Sequence, residues 1–172
     1  MKKEKTEVFR IGDMVVYPAH GLCCIEAIEE RDLYGARVQL FVMSVNLDRM
    51  TLMVPTHRAE RSGMRPLSTP DLVEAALRLI GGRSKSKRGM WSRRAQEYEK
   101  KIRSGDLLLA AEVVRDLRGG ADDPGGSYSE RQLYELALAR VTQEAAAVLR
   151  SGQESVRSRI ETAQANRTNR AA

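Results

Sequence analysis

Between Pro55 and Pro70 the periodicity of the chain changes, and that change constrains the fold more than any other feature. Before it, apolar residues come in short runs separated by turn residues; after it, they recur every three or four positions over stretches too long for strands. Strands gathered in front and helices gathered behind define an α+β chain. Aromatic content is only 5%, so the apolar mass comes from Leu, Val, Ile, Ala and Met, and two modest cores are expected rather than one large one.

The first strand is Met14–Tyr17, entered from a Gly12-Asp13 turn and stopped by Pro18-Ala19-His20-Gly21. Leu22–Glu29 reads as the second, ending at a charged bend, Glu29-Glu30-Arg31-Asp32. Ala36–Val45 follows Tyr34-Gly35, and Met50–Val54 follows Asn46-Leu47-Asp48-Arg49. Short strands with tight turns predict a small, strongly bent antiparallel sheet or barrel. Thr56 is placed to cap a short helical turn that Gly63 closes.

Ser68 and Thr69 are cap candidates for a helix over Asp71–Ile80, with Leu72, Ala75, Ala76 and Leu79 as its apolar stripe. Gly81-Gly82 ends it, and a Gly/Ser-rich basic linker, 81–90, leads to a helix from Trp91 to about Arg103. Ser104-Gly105-Asp106 starts another, with Leu107, Ala111, Val114 and Leu117 inward and Glu112, Arg115, Asp116 and Arg118 outside. Gly119 to Gly126 reads as a flexible loop. Ser129 to Gln132 has capping-box spacing, and Leu133, Leu136, Ala137, Val141, Ala145 and Val148 continue a stripe to about Arg150. The expected organisation is a disordered start at 1–8, a sheet domain at 9–63, an all-helical bundle at 64–150 and a flexible polar tail at 151–172.

The net charge is +6 and the sequence pI about 9.6, which favours a polyanionic partner. No run approaches the roughly 18 apolar residues of a spanning helix, and MKKEKTEVFR has no apolar segment after its lysines; a cytoplasmic protein with no membrane contact is expected. Cys23 and Cys24 are neighbours on a strand, pointing to opposite faces, and imply neither a disulfide nor a metal site. His20 and His57 are the histidines available as bases, and neither sits in a catalytic motif. No enzymatic activity and no cofactor are expected. Glu97, Glu99, Glu112 and Asp116 read as solvated helix charges.

The single tryptophan, Trp91, lies between two clusters of cations: Lys85, Lys87 and Arg88 before it, Arg93 and Arg94 after it. With Ala95, Tyr98 and Ile102 it forms one helical stripe, which suits a core residue. A tryptophan at a helix start flanked by cations also suits a wedge against base pairs, with the cations on the phosphate backbone. Spacing leaves both readings open.

MWSRR, followed by SGD and AEVVRDL, resembles the helical domain of the CarD family of bacterial transcription regulators, and GDMVVYPAHG resembles that family's first domain. The likeness runs from about Phe9 to about Val148, and SYSERQLYE looks particularly like alphaproteobacterial members. It implies a Tudor-like N-terminal domain that docks on the β subunit of RNA polymerase and a C-terminal domain that meets promoter DNA, largely without sequence preference. The protein would be a monomer outside the polymerase complex.

By this resemblance Trp91 wedges into the minor groove at the upstream edge of the transcription bubble and stabilises the open complex. Arg93, Arg94 and Arg131 match basic family positions beside it. Arg31, Met53 and Pro55 match the polymerase surface, with Met53 replacing a residue that is basic in some relatives. Gln96 stands where relatives are basic, and RGGADDPGG replaces a segment often rich in charge. The competing reading is a protein–protein adaptor in which Trp91 is ordinary core.

Overall fold

A computed structural model describes residues 9–86 and 88–170; the start expected to be disordered, 1–8, and Lys87 lie outside the described residues. The chain forms two compact units, one up to Pro66 and one from Leu67 onward. Strands precede helices, as the change of period requires.

Among the described residues the first unit is a five-stranded antiparallel sheet of order β4-β3-β2-β1-β5, from β1 (Met14–Tyr17), β2 (Gly21–Leu33), β3 (Ala36–Val45), β4 (Thr51–Pro55) and β5 (Arg65–Pro66). β2 and β3 make a long hairpin. Its two-residue turn puts Tyr34 at φ 55° and Gly35 at φ 82°, the left-handed pair that matches the twist of the flanking strands. Asp32 Oδ1 accepts the Gly35 amide at 2.9 Å. The bend expected at Glu29-Glu30-Arg31-Asp32 is therefore absent: those residues stay paired with β3, and the chain reverses at the first place where positive φ is supplied.

A bulge in β2 decides which residues face the core. Ile25 pairs with Met43 but Ala27 pairs with Val42, leaving Glu26 as the extra residue. Core positions therefore pass from Cys23 and Ile25 to Ile28, opposite Val45, Met43 and Phe41. Phe9 closes this core edge-on to Phe41, with ring centroids 6.3 Å apart. Val15, Val54, Ala59 and Met64 complete it. Ala59 and Met64 follow the short 3-10 turn Thr56–Arg58.

The second unit holds α1 (Pro70–Ile80), α2 (Trp91–Arg103), α3 (Leu107–Asp122), α4 (Tyr128–Leu149) and α5 (Gln153–Arg170). Thr69 caps α1, its Oγ1 accepting the Leu72 amide at 3.2 Å, and Asp106 caps α3 through Leu109 at 3.0 Å. The buried face of α1 is Val73, Ala76, Leu77 and Ile80, which shares only Ala76 with the expected stripe: Leu79 packs at the border of the core and Leu72 is exposed. Both sides of α1 are apolar, and packing against α3 and α5 selects one. In α4 the same happens at Leu136, which is exposed while Tyr134 and Leu138 are buried. α3 runs on through Gly119 and Gly120 to Asp122, where a loop was expected.

The largest departure is at the end of the chain. The tail expected to be flexible from residue 151 is helix α5, entered after Arg150 adopts the left-handed conformation at φ 50°. Val156, Ile160 and Gln164 recur every four residues and are fully buried, Val156 and Ile160 in the same core as α1, α3 and α4. Gln164 enters the interior without cost to its carbonyl, because Oε1 accepts from Arg118 at 2.7 Å and from the Tyr134 hydroxyl at 3.4 Å. On the outer side Arg159 makes a two-pronged pair with Glu74 of α1, at 2.8 and 3.2 Å, and that pairing holds the Glu74 carboxyl below its ordinary range.

Candidate nucleic-acid interface

Trp91 is the first residue of α2. Of the expected stripe, Tyr98 and Ile102 are buried, Ala95 is partly buried, and Trp91 is partly buried at the border of the core. The indole is thus neither a closed core residue nor a free wedge. Its Nε1–H donates to Ser129 Oγ at 2.8 Å, and the Arg94 guanidinium lies 5.5 Å from the ring centroid, within cation–π range.

That hydrogen bond joins the starts of two helices. Met90 and Ser127, the N-cap residues of α2 and α4, provide no side-chain cap, so neither satisfies the amides of the first turn. The capping box expected at Ser129 does not form: α4 already begins at Tyr128, and the Ser129 hydroxyl is engaged by Trp91 and, at 2.8 Å, by Ser127 Oγ. Two helix N-termini, each carrying partial positive charge, flank the indole. Met90 and Tyr128 beside it are 76% and 69% exposed, leaving apolar surface open to a partner.

The linker is held rather than loose. Asp116 Oδ1 accepts the Lys85 amide at 2.9 Å, and its carboxylate and carbonyl each lie 3.5 Å from Ser84 Oγ. Arg115 Nε donates to the same Oδ1 at 2.8 Å, with the two side chains 8% and 4% exposed. Both were expected in solvent on the outer face of α3; the linker covers them instead. Hydrogen bonding to Asp116 raises the Arg115 pKa above its usual value, so the cation is permanent. One residue on, Ser86 Oγ accepts from Arg94 at 2.5 Å and lies 3.3 Å from the Tyr98 hydroxyl.

Asp116, Ser86 and Arg94 thus form a relay from α3 through the linker to the face of the indole. Of the expected nucleic-acid residues, Trp91 and Arg94 are in direct contact. Arg131 lies in the first turn of α4, two positions after Ser129. Lys85, Arg88 and Arg93 are exposed on the linker and the first turn of α2. Lys101, by contrast, is paired with Glu112 at 2.7 Å. Ser129, Ser86 and Asp116 were not singled out as site residues, since no local spacing links them to Trp91.

In the first unit, Arg31, Met53 and Pro55 share a face. Val42 pairs with Ala27 and Met53, Leu40 with Glu29 and Pro55, and Val38 with Arg31. Alternate residues of β3 point the same way, so all three stand opposite Phe41 and Met43. Met53 is 45% exposed, and Arg31 is steadied by Glu29 Oε2, which accepts from its Nε and Nη2 at 3.0 and 2.8 Å. The bulge at Glu26 is what turns Arg31 to this face.

Among the described residues neither histidine meets a catalytic partner: His20 stacks on Tyr17 with centroids 6.0 Å apart, and His57 lies in the exposed 3-10 turn. Among the described residues no cluster of His, Cys, Asp or Glu is arranged to hold a metal ion, and no helix is long and apolar enough to cross a membrane. Fold and site define a class: an α+β protein of two units, a five-stranded sheet and a helical bundle, with a partly exposed tryptophan among cations on the bundle.

Comparison with known proteins makes the class specific. Residues 9–68 match the family model described as CarD-like/TRCF RID domain, and residues 75–161 match CarD, C-terminal domain. The chain is 31% identical over 130 residues to the Bacillus subtilis (strain 168) protein named "Putative transcription factor YdeB", covering 76% of this chain and 85% of that one. The chain belongs to the CarD family of transcription regulators. The helical match extends to residue 161, into α5, beyond the point near Val148 where the likeness of sequence motifs was drawn.

Proposed function

We propose that this protein acts in the cytoplasm as a monomer that binds the β subunit of RNA polymerase through its sheet and promoter DNA through its helical bundle, stabilising the open complex during initiation. The observation that carries this reading is the arrangement at Trp91: a partly exposed indole between two helix starts, with Arg94 on its face and Lys85, Arg88, Arg93 and Arg131 on the linker and on the same two helix starts. An apolar ring flanked by cations suits an unstacked step at the edge of melted DNA, where the ring fills the gap and the guanidinium groups meet phosphates. Membership of the family supports the polymerase half, with Arg31, Met53 and Pro55 as its contact face.

The mechanism requires no chemistry. A factor that binds the open complex more tightly than the closed one shifts the equilibrium by the difference in affinity, and about 1.4 kcal/mol changes the ratio tenfold. Whether a promoter gains or loses output then depends on whether opening or escape limits it.

The test is the lifetime of open complexes on a fluorescent promoter with purified bacterial polymerase, with no factor, with this protein, and with a folded Trp91→Ala variant. A lifetime lengthened by the parent and not by the variant is expected. No effect of the parent, with polymerase binding confirmed, would favour an adaptor role in which Trp91 serves packing alone.

A further inference from the structure

The indole has a single hydrogen-bond donor, and in this protein it is committed. Its acceptor, Ser129 Oγ, lies 38 residues away on α4, 2.8 Å from Nε1. Ser129 is exposed, so water would satisfy either group equally well and the bond is not needed to avoid a buried orphan. What it does is restrict the ring. Packing against the core border and the Arg94 guanidinium 5.5 Å from the centroid limit the face, and the Nε1 bond limits the tilt.

From this geometry we infer that Ser129 is a positioning residue for Trp91, and that the first turn of α4 is therefore the second half of the nucleic-acid site. The inference rests on the reading of Trp91 as a DNA contact. A side chain ordered before binding forfeits less entropy when DNA arrives, which is the gain that preorganisation gives. Because the N–H is already engaged, the ring offers DNA its apolar surface and no base-specific donor. Contact of that kind tolerates sequence, as stacking does.

Ser127 Oγ, 2.8 Å from Ser129 Oγ, is placed to take over as acceptor when Ser129 is lost, so the test needs both hydroxyls removed as well as one. The full chain is titrated with a forked duplex and with a fully paired duplex of the same sequence, as the parent, Ser129→Ala, Ser129→Thr, Ser127→Ala/Ser129→Ala, Trp91→Ala and Trp91→Ala/Ser129→Ala.

Loss of both hydroxyls is expected to weaken fork binding about two- to tenfold, the range for one net hydrogen bond, and loss of Ser129 alone by that much or less, according to how far Ser127 replaces it. Threonine should restore it, and Ser129→Ala should cost nothing further once Trp91 is alanine. Trp91 is the only tryptophan, so its emission anisotropy reads the ring directly and should fall in the variant that lacks both hydroxyls while thermal unfolding stays near the parent's.

Two results overturn the inference and leave the reading of Trp91 standing: a fork affinity that falls with Trp91→Ala but not with removal of both serines, or equal losses from Ser129→Ala with and without the indole. A Trp91→Ala variant that binds the fork as the parent does overturns the DNA reading itself and the positioning role with it.

Discussion

The Asp116 carboxylate accepts the backbone amide of Lys85 at 2.9 Å, across 31 residues of sequence, and in doing so fixes the linker against α3. The same oxygen pairs with buried Arg115. Asp116→Ala removes both at once, leaving a buried cation unpartnered, and is expected to cost about 3 kcal/mol in the stability of the helical unit. Asp116→Asn keeps an acceptor for Lys85 and should lose less. Urea unfolding of the three proteins tests the order. Fork affinity should fall in the same order, since the linker that Asp116 holds carries Ser86, which accepts from Arg94.

On the sheet, Arg31→Glu and Met53→Glu are expected to weaken association with the polymerase β subunit while leaving DNA binding by the full chain unchanged. Both residues stand on the face away from the core, so neither substitution disturbs packing. Arg31→Glu also places a like charge next to Glu29, which adds repulsion. Surface capture of polymerase and fork titration, run side by side, separate the two effects; parallel loss of both would show that the surfaces are not independent.

What could be read in advance, and what could not, follows from the range of each signal. The turn at Tyr34-Gly35, the cap at Thr69, the helix restart at Ser104-Gly105-Asp106 and the inward row Leu107, Ala111, Val114 and Leu117 are local, and all are present in the structure. The bulge at Glu26 is not local: it appears only when β2 is laid against β3, and without it the face taken by Arg31 could not be assigned. Burial of Arg115 and Asp116 depends on a linker thirty residues upstream. The local spacing at Ser129 suggested a capping box that does not form, while its actual partner Trp91 lies on another helix. α5 was missed for a related reason. Its inward stripe holds two apolar residues and a glutamine, and the glutamine is acceptable in the core only because Arg118 and Tyr134 meet it.

That helix is open to a direct test. Ile160 is 1% exposed within the core shared with α1, α3 and α4. Ile160→Ala is expected to destabilise the helical unit by about 3 kcal/mol, as removal of a buried branched side chain does where the cavity cannot collapse. A flexible tail would give a change near zero. Denaturant midpoints of parent and variant decide between them.

Tyr134 gives the helical unit a pH dependence on the alkaline side. Burial raises its phenol pKa above the ordinary value. The native state therefore keeps the proton more tightly than the unfolded chain. Its contribution is complete below the unfolded pKa of about 10 and is lost as pH rises through the higher native value. Tyr134→Phe should flatten that part of the stability profile, measured as unfolding midpoints from pH 8 to 11; an unchanged difference between the two proteins across that range would contradict the assignment.

Arg93 allows the electrostatic part of the proposed DNA contact to be separated from the aromatic part. It is exposed in the first turn of α2, whereas Arg94 is tied to Ser86 and to the indole. Arg93→Ala should therefore weaken fork and duplex binding alike and reduce the slope of log affinity against log salt by about 0.9 for one lost phosphate contact. Arg94→Ala removes a phosphate partner and also loosens the ring, so it should reduce the preference for fork over duplex as well as the slope. Titrations at several salt concentrations resolve slope from preference. If the two arginines behaved identically, the contact between Arg94 and Trp91 would have no part in junction binding.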